Sequence, residues 1–190
     1  MKKIALFASG NGTNAENIIT YFAEKNNVEV ALILTNNKDA YVIERAKNHH
    51  IPCFVFSLKE LKETDIVLDK LYEYHIDFIV LAGFLLMIPQ KIIDRYPGKI
   101  INIHPALLPK YGGKGMYGDI VHRAVRASGD TETGISIHYV NEKYDEGAII
   151  FQAKCPVDPD DTPDTIAQKV HQLEYRYFPE IIEKVIFSRL

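Results

Sequence analysis

The chain has 190 residues, 47% hydrophobic and 25% charged, the make-up of an ordinary soluble globular protein with one sizeable core. Its net charge of -3 and pI near 6.2 argue against a dedicated nucleic-acid surface, which is normally basic. They leave room for a small anionic ligand held by backbone amides. Met1-Lys2-Lys3 leads only into Ile4–Ala8, too short an apolar run for a secretion signal or a membrane span. Cys53 and Cys155 lie far apart, with neither metal-ligand nor disulfide spacing. A cytoplasmic protein with no metal, nucleic-acid or membrane partner is expected.

The first strand-like run, Ile4–Ser9, precedes a helix whose apolar face is marked by Ala15, Ile18, Ile19, Phe22 and Ala23. Strand Val28–Thr35, helix Tyr41–Asn48, strand Cys53–Phe56, helix Ile66–Tyr74, and strands Phe78–Ala82 and Ile100–His104 follow. Helix Tyr117–Ala127 leads into Ile135–Val140 and Ala148–Lys154, which a short polar loop joins as a hairpin. Thr162-Pro163 reads as an N-cap and first-turn proline opening helix Thr165–Phe178. Pro179 is expected to kink or split that helix from Ile181–Phe187. Strand-helix alternation implies parallel βαβ units with right-handed crossovers. The predicted fold is α/β: a single Rossmann-like domain over residues 1–190, its open sheet mostly parallel, with a late hairpin extension and helices on both faces.

The most informative stretch is Ile100-Ile101-Asn102-Ile103-His104-Pro105. The β-branched run reads as a buried strand, yet Asn102 and His104 occupy alternate positions and so share a face. Pro105 removes a ladder donor and ends the strand. An amide and an imidazole therefore emerge together at a strand's carboxyl end, where open α/β sheets place ligands. The alternative is a hydrogen-bonded core pair.

Ser9-Gly10-Asn11-Gly12-Thr13-Asn14 lies between the first strand and the first helix. Glycines permit a sharp turn, and a helix start offers unpaired amides of positive dipole character, a cradle for phosphate. Thr13 with Glu16 also fits a capping box, the structural alternative. The loop lacks the lysine of a P-loop and the spacing of a dinucleotide fingerprint. The loop Asn141-Glu142-Lys143-Tyr144-Asp145-Glu146-Gly147 matters if Asp145 reaches His104, where a carboxylate favours the imidazolium and orients the ring. His138 competes as a base, although a lone strand histidine is ordinarily structural. His49, His50, His75, His122 and His171 read as surface or packing residues.

Together these residues resemble the phosphoribosylglycinamide formyltransferases, the folate-dependent formyltransferases of purine biosynthesis also called GAR transformylases. The resemblance runs through the Ser9–Asn14 loop, Leu81-Ala82-Gly83-Phe84, Asn102-Ile103-His104-Pro105 with Leu107-Leu108-Pro109, His138 followed by Asp145, and the helix bearing Glu174. It implies transfer of the formyl group of 10-formyltetrahydrofolate, a co-substrate, to the amine of glycinamide ribonucleotide through a tetrahedral intermediate. The implied catalytic residues are Asn102, donor to the oxyanion, His104, and Asp145, which holds His104 in its working state through an ordered water. Gly12, Thr13 and Asn14 would receive the phosphate and Glu174 the ribose hydroxyls. Leu85, Leu86, Met87 and Ile88, with Asn141, Glu142, Lys143, Tyr144 and Asp145, would enclose the pterin, and Asn102 would also contact the folate. Lys59 or Lys62 would meet the folate tail. Tyr111–Gly118 departs from the family pattern in being rich in glycine.

Two other readings use part of the same set. A formyltetrahydrofolate hydrolase would direct Asn102, His104 and Asp145 at water, and those relatives usually carry an extra N-terminal domain, which a first strand at Ile4 is expected to exclude. A formyltransferase acting on tRNA would need an RNA-binding extension that a chain ending at Leu190 is expected to lack. A non-catalytic nucleotide-binding module would keep the loop without needing the three polar residues. Small-molecule substrates are expected, with a homodimer left open.

Overall fold

In a computed structural model describing residues 1–187, the sheet is built outward from β1 (Lys2–Phe7). Its neighbours are β2 (Val28–Thr35) on one side and β4 (Phe78–Leu81) on the other, both parallel to it. β3 (Cys53–Val55) pairs with β2, and β5 (Ile100–His104) with β4, again parallel. β6 (Glu132–Tyr139) and β7 (Ile149–Pro156) add antiparallel to β5, giving the order β3-β2-β1-β4-β5-β6-β7. The mostly parallel sheet with a late hairpin matches the sequence expectation.

Alternate residues of each central strand feed two cores. Ile4, Leu6, Val80, Ile101 and Ile103 pack beneath α1 (Thr13–Ala23), α2 (Val42–Asn48), α6 (Asp119–Ser128) and α7 (Pro163–Ile186). Ala5, Phe7, Leu32, Leu34, Ile79 and Leu81 face α3 (Leu58–Glu63), α4 (Ile66–Glu73) and α5 (Gln90–Arg95). Strands buried on both faces explain the near-continuous apolar runs. Helices α3 and α5 were not anticipated, because six residues are too few to display a 3.6-residue period. The start of α3 was nevertheless written in the sequence as a capping box between Ser57 and Glu60.

Pro179 does not split the last helix, which runs without interruption from Pro163 to Ile186. A proline withholds the amide that would bond to the carbonyl four residues earlier, here that of Tyr175. Asn17 Nδ2 of α1 donates to that carbonyl at 2.9 Å, so the freed acceptor is satisfied from a neighbouring helix.

Further along α7, Glu183 accepts hydrogen bonds from Tyr21 Oη, Lys25 Nζ and Asn27 Nδ2, each at 2.7 Å. Burial opposes its charge, but Lys25, Tyr21 and Asn27 outweigh burial and hold its pKa down to about 2. An unfolded glutamate titrates near ~4.3, so this stabilisation is present above that pH and disappears as pH falls toward about 2. Glu183→Gln is therefore expected to lower Tm at pH 7, with the gap to wild type closing as thermal melts are taken from pH 5 toward pH 2.5.

Candidate active site

The connections after β1 lead to β2 and β3 on one side, while β4 and β5 extend the other, so the sheet's order reverses between β1 and β4. Loops leaving those two carboxyl ends diverge and leave a crevice, the usual ligand position in open α/β sheets. A cavity of about 570 Å³ occupies it. Ser9 ties the rim together: its hydroxyl donates to Asn36 Oδ1 at 2.6 Å and accepts from the amide of Leu85 at 3.0 Å.

At one end of the cavity lies the β1–α1 turn. Gly12 takes the position before the helix with φ of 76°, a left-handed conformation suited to glycine. A Cβ there would also stand 2.5 Å from Val42 Cγ2, so packing against α2 demands glycine as well. The capping box that Thr13 and Glu16 offered as the structural alternative does not form, and no side chain among the described residues caps α1. Glu16 instead pairs with Arg45 and approaches His49 at 3.2 Å. The first amides of α1 thus keep their capacity to receive an anion.

Asn14, on the first turn of α1, donates through Nδ2 to Glu174 Oε2 at 2.9 Å. Glu174 is only 6% exposed, unlike an ordinary solvated helical glutamate. Burial pushes its pKa up, against the opposing effects of Asn14 and His171. Asn14 Oδ1 is buried and has no hydrogen-bond partner among the described residues. Gly12, Thr13, Asn14 and Glu174 all line the cavity, so one pocket brings together the residues expected for phosphate and ribose.

Asn102 and His104 emerge at the other end, on the same face of β5, with Asp145 opposite them. His104 Nε2 lies 2.7 Å from the carbonyl oxygen of Tyr111. A carbonyl only accepts, so Nε2 carries the proton and the neutral ring has its lone pair on Nδ1. That Nδ1 stands 3.6 Å from Asp145 Oδ2. Burial lowers the His104 pKa more than Asp145 and the Tyr111 carbonyl raise it. The resting ring is thus neutral at pH 7, whereas the expected influence of Asp145 alone favours the imidazolium. Asp145 is itself held below the usual carboxylate range: burial opposes its charge, and His138, His104 and the Gly113 amide overcome that effect.

Two departures from ordinary backbone geometry support this arrangement. Tyr111 and Asp145 have φ of 56° and 55°, uncommon for residues with side chains. Tyr111 is anchored at both ends, because its hydroxyl donates to Asp130 at 2.7 Å while its carbonyl accepts from His104. Asp145 Oδ2 accepts from the amide of Gly113 at 2.9 Å, joining the glycine-rich segment to the site. Sequence reasoning overlooked Tyr111, since a main-chain acceptor leaves no trace in residue type.

Of the residues expected around a pterin, Leu85, Tyr144 and Asp145 line the cavity. Ile88 is buried in the core beneath α3–α5, Leu86 packs partly against it, and Met87 is 41% exposed. Asn141, Glu142, Lys143, Lys59 and Lys62 lie outside the cavity lining. His122 and His171, read as surface or packing residues, both contribute to that lining. His122 is buried, its Nδ1 has no partner among the described residues, and its pKa is driven down to about 4, first by burial and then by His171. Among the described residues, no group of three or more His, Cys, Asp or Glu side chains is placed to hold a metal.

A neutral buried imidazole and an amide donor on a strand of the doubly wound sheet, faced by a carboxylate from the loop between β6 and β7, define a site suited to acyl transfer. The formyl transferase family model matches residues 2–182, and the chain belongs to that family. It is 40% identical to the phosphoribosylglycinamide formyltransferase of Bacillus subtilis, over 98% of this chain and 95% of the other. It is also 40% identical to that of Haemophilus influenzae, over 100% and 90% respectively. The crystal structure of glycinamide ribonucleotide transformylase 1 from Symbiobacterium toebii superposes with a TM-score of 0.90 at 30% identity, covering 100% of this chain and 90% of the other.

The raised pKa of Glu174 has a consequence for stability. A folded pKa above the unfolded value of ~4.3 means that folding weakens as pH rises past that value. Glu174→Gln removes the buried charge while keeping an acceptor for Asn14, and is expected to melt no lower than wild type at pH 8. Glu174→Ala leaves a void and an unpaired Asn14 amide and is expected to melt lower, by calorimetry at the same pH.

Proposed function

We propose that Asn102, His104 and Asp145 transfer the formyl group of 10-formyltetrahydrofolate to the amine of glycinamide ribonucleotide, the reaction of a phosphoribosylglycinamide formyltransferase. One observation carries this reading: the amide–imidazole–carboxylate group and the open amides of the Gly12–Asn14 turn with Glu174 occupy two ends of one cavity. Acyl transfer to a phosphate-bearing amine needs both ends, whereas hydrolysis needs only the first.

In this scheme the turn at Gly12, Thr13 and Asn14 holds the phosphate, Glu174 the ribose hydroxyls, and Leu85, Tyr144 and Asp145 lie along the folate. The substrate amine attacks the formyl carbon, and the carbonyl electron pair moves to oxygen. An Asn102 Nδ2–H donates to the resulting oxyanion. His104 accepts the amine's proton at Nδ1, and Asp145 stabilises the imidazolium so formed. Collapse restores the carbonyl, breaks the bond to the folate nitrogen, and His104 returns the proton to that nitrogen.

Residues 1–190 are read as one formyltransferase domain. A cytoplasmic location is supported by the free thiols of Cys53 and Cys155. Among the described residues no helix is long and apolar enough to cross a membrane.

An absorbance assay with 10-formyltetrahydrofolate tests the reading directly. Folate turnover is expected only when glycinamide ribonucleotide is present, and turnover without it would transfer the assignment to a hydrolase. Asn102→Ala and His104→Ala are each expected to reduce kcat about a hundredfold or more, with both ligands still bound in titrations.

The pH profile supplies a separate check. Proton acceptance requires neutral His104, so activity falls as pH drops through its depressed pKa. Asp145 raises that pKa, and Asp145→Asn is therefore expected to move the acid limb to still lower pH while reducing its height. The double variant His104→Ala/Asp145→Asn is expected to lose much less than the product of the single losses.

A further inference from the structure

His138 sits directly across the antiparallel ladder from Asn102, on the adjacent strand β6. The residue is 2% exposed, so every polar contact its side chain makes is with a fixed neighbour. Nδ1 lies 2.9 Å from the carbonyl oxygen of Tyr139. Because that oxygen can only accept, Nδ1 must carry a proton. The neutral ring then has its lone pair on Nε2, which stands 3.1 Å from Asn102 Nδ2. Asp145 Oδ1 stands farther off, 3.5 Å from the same Nε2 and outside hydrogen-bond geometry, so the shorter contact to Asn102 Nδ2 decides which partner Nε2 serves.

A primary amide has two chemically opposite ends, and turning it by half a revolution exchanges donor for acceptor. An acceptor at Nε2 draws the Nδ2 end toward His138 and leaves the second N–H of that nitrogen free. An oxyanion is stabilised by that N–H and repelled by Oδ1.

We propose that His138 is a positioning residue that fixes the orientation of the Asn102 amide, so that N–H rather than oxygen faces the formyl oxygen. The proposal rests on the formyl-transfer reading above. It gives the Tyr139 carbonyl a part in catalysis two bonds removed, since that acceptor selects the tautomer of His138. It also replaces the packing role that a lone strand histidine suggests. A residue acting in this way touches no substrate, so its loss alters the transition state and leaves ground-state binding intact.

The test is a set of steady-state assays on the full chain, with 10-formyltetrahydrofolate and glycinamide ribonucleotide. His138→Leu is expected to reduce kcat by about 10- to 100-fold, with KM for either substrate changed less than about threefold. His138→Gln, which can present an acceptor to Asn102, is expected to recover most of that loss. In an Asn102→Ala background, His138→Leu is expected to have no further effect, because the group it positions is gone. Imidazole ¹⁵N resonances of wild type are expected to show His138 protonated on Nδ1 and not on Nε2. Retained kcat in a folded His138→Leu protein, multiplicative losses in the double variant, or a proton on Nε2 in the spectrum would each overturn the proposal. Should His138→Leu fail to fold, the wild-type tautomer and the His138→Gln rate decide. Absence of formyl transfer in wild type would overturn the functional reading instead, and the tautomer measurement would still stand by itself.

Discussion

Everything at the site depends on the reversal of strand order between β1 and β4. Neighbouring parallel strands are held about 4.8 Å apart by their ladders, and the loops leaving them must diverge if their next strands lie on opposite sides. The protein bridges the gap with small polar groups rather than filling it. Ser9 bonds to one loop through its proton and to the other through its lone pair. The amide of Ser9 adds a bond to the carbonyl of Gly83 at 3.0 Å, holding the two strand ends in register above the crevice.

The two ends of the cavity use opposite electrostatic strategies. At the Gly12–Asn14 end, the helix start provides positive dipole character without a formal charge, while buried Glu174 resists ionisation. Near β5, a carboxylate is kept ionised and a neighbouring imidazole kept neutral, so the proton affinities of two adjacent groups are set apart. In the proposed mechanism only the second end asks a proton to move. Its supports are correspondingly numerous: Tyr111 bonds to His104, Gly113 to Asp145, and His138 to Asn102.

The sheet and the chemical residues were legible because they write themselves into residue type. Near-continuous apolar runs marked five parallel strands, and Asn102 and His104 stood out as polar positions in one of them. Short helices were not legible, since α3 and α5 complete fewer than two turns. Proline in α7 was misread because its usual penalty assumes an orphaned carbonyl, and Asn17 meets that carbonyl from another helix 158 residues away in sequence. His122 and His171 were passed over for a related reason. On a helix, facing a cavity and facing solvent leave the same polar pattern.

The partners of α7 also bear on the order in which the molecule is completed. Glu174 meets Asn14 across 160 positions, and Glu183 meets Tyr21 across 162. Contacts so distant in sequence close a long loop, and neither can form before α7 has been made. As synthesis proceeds from the amino terminus, β1 through β5 emerge before either glutamate. A nascent chain can thus hold Asn102 and His104 while the wall opposite the Gly12 turn is still unmade. Ligand capture becomes a property of the finished polypeptide, and a ribosome-bound fragment shorter than α7 would hold the reacting groups without a pocket to fill.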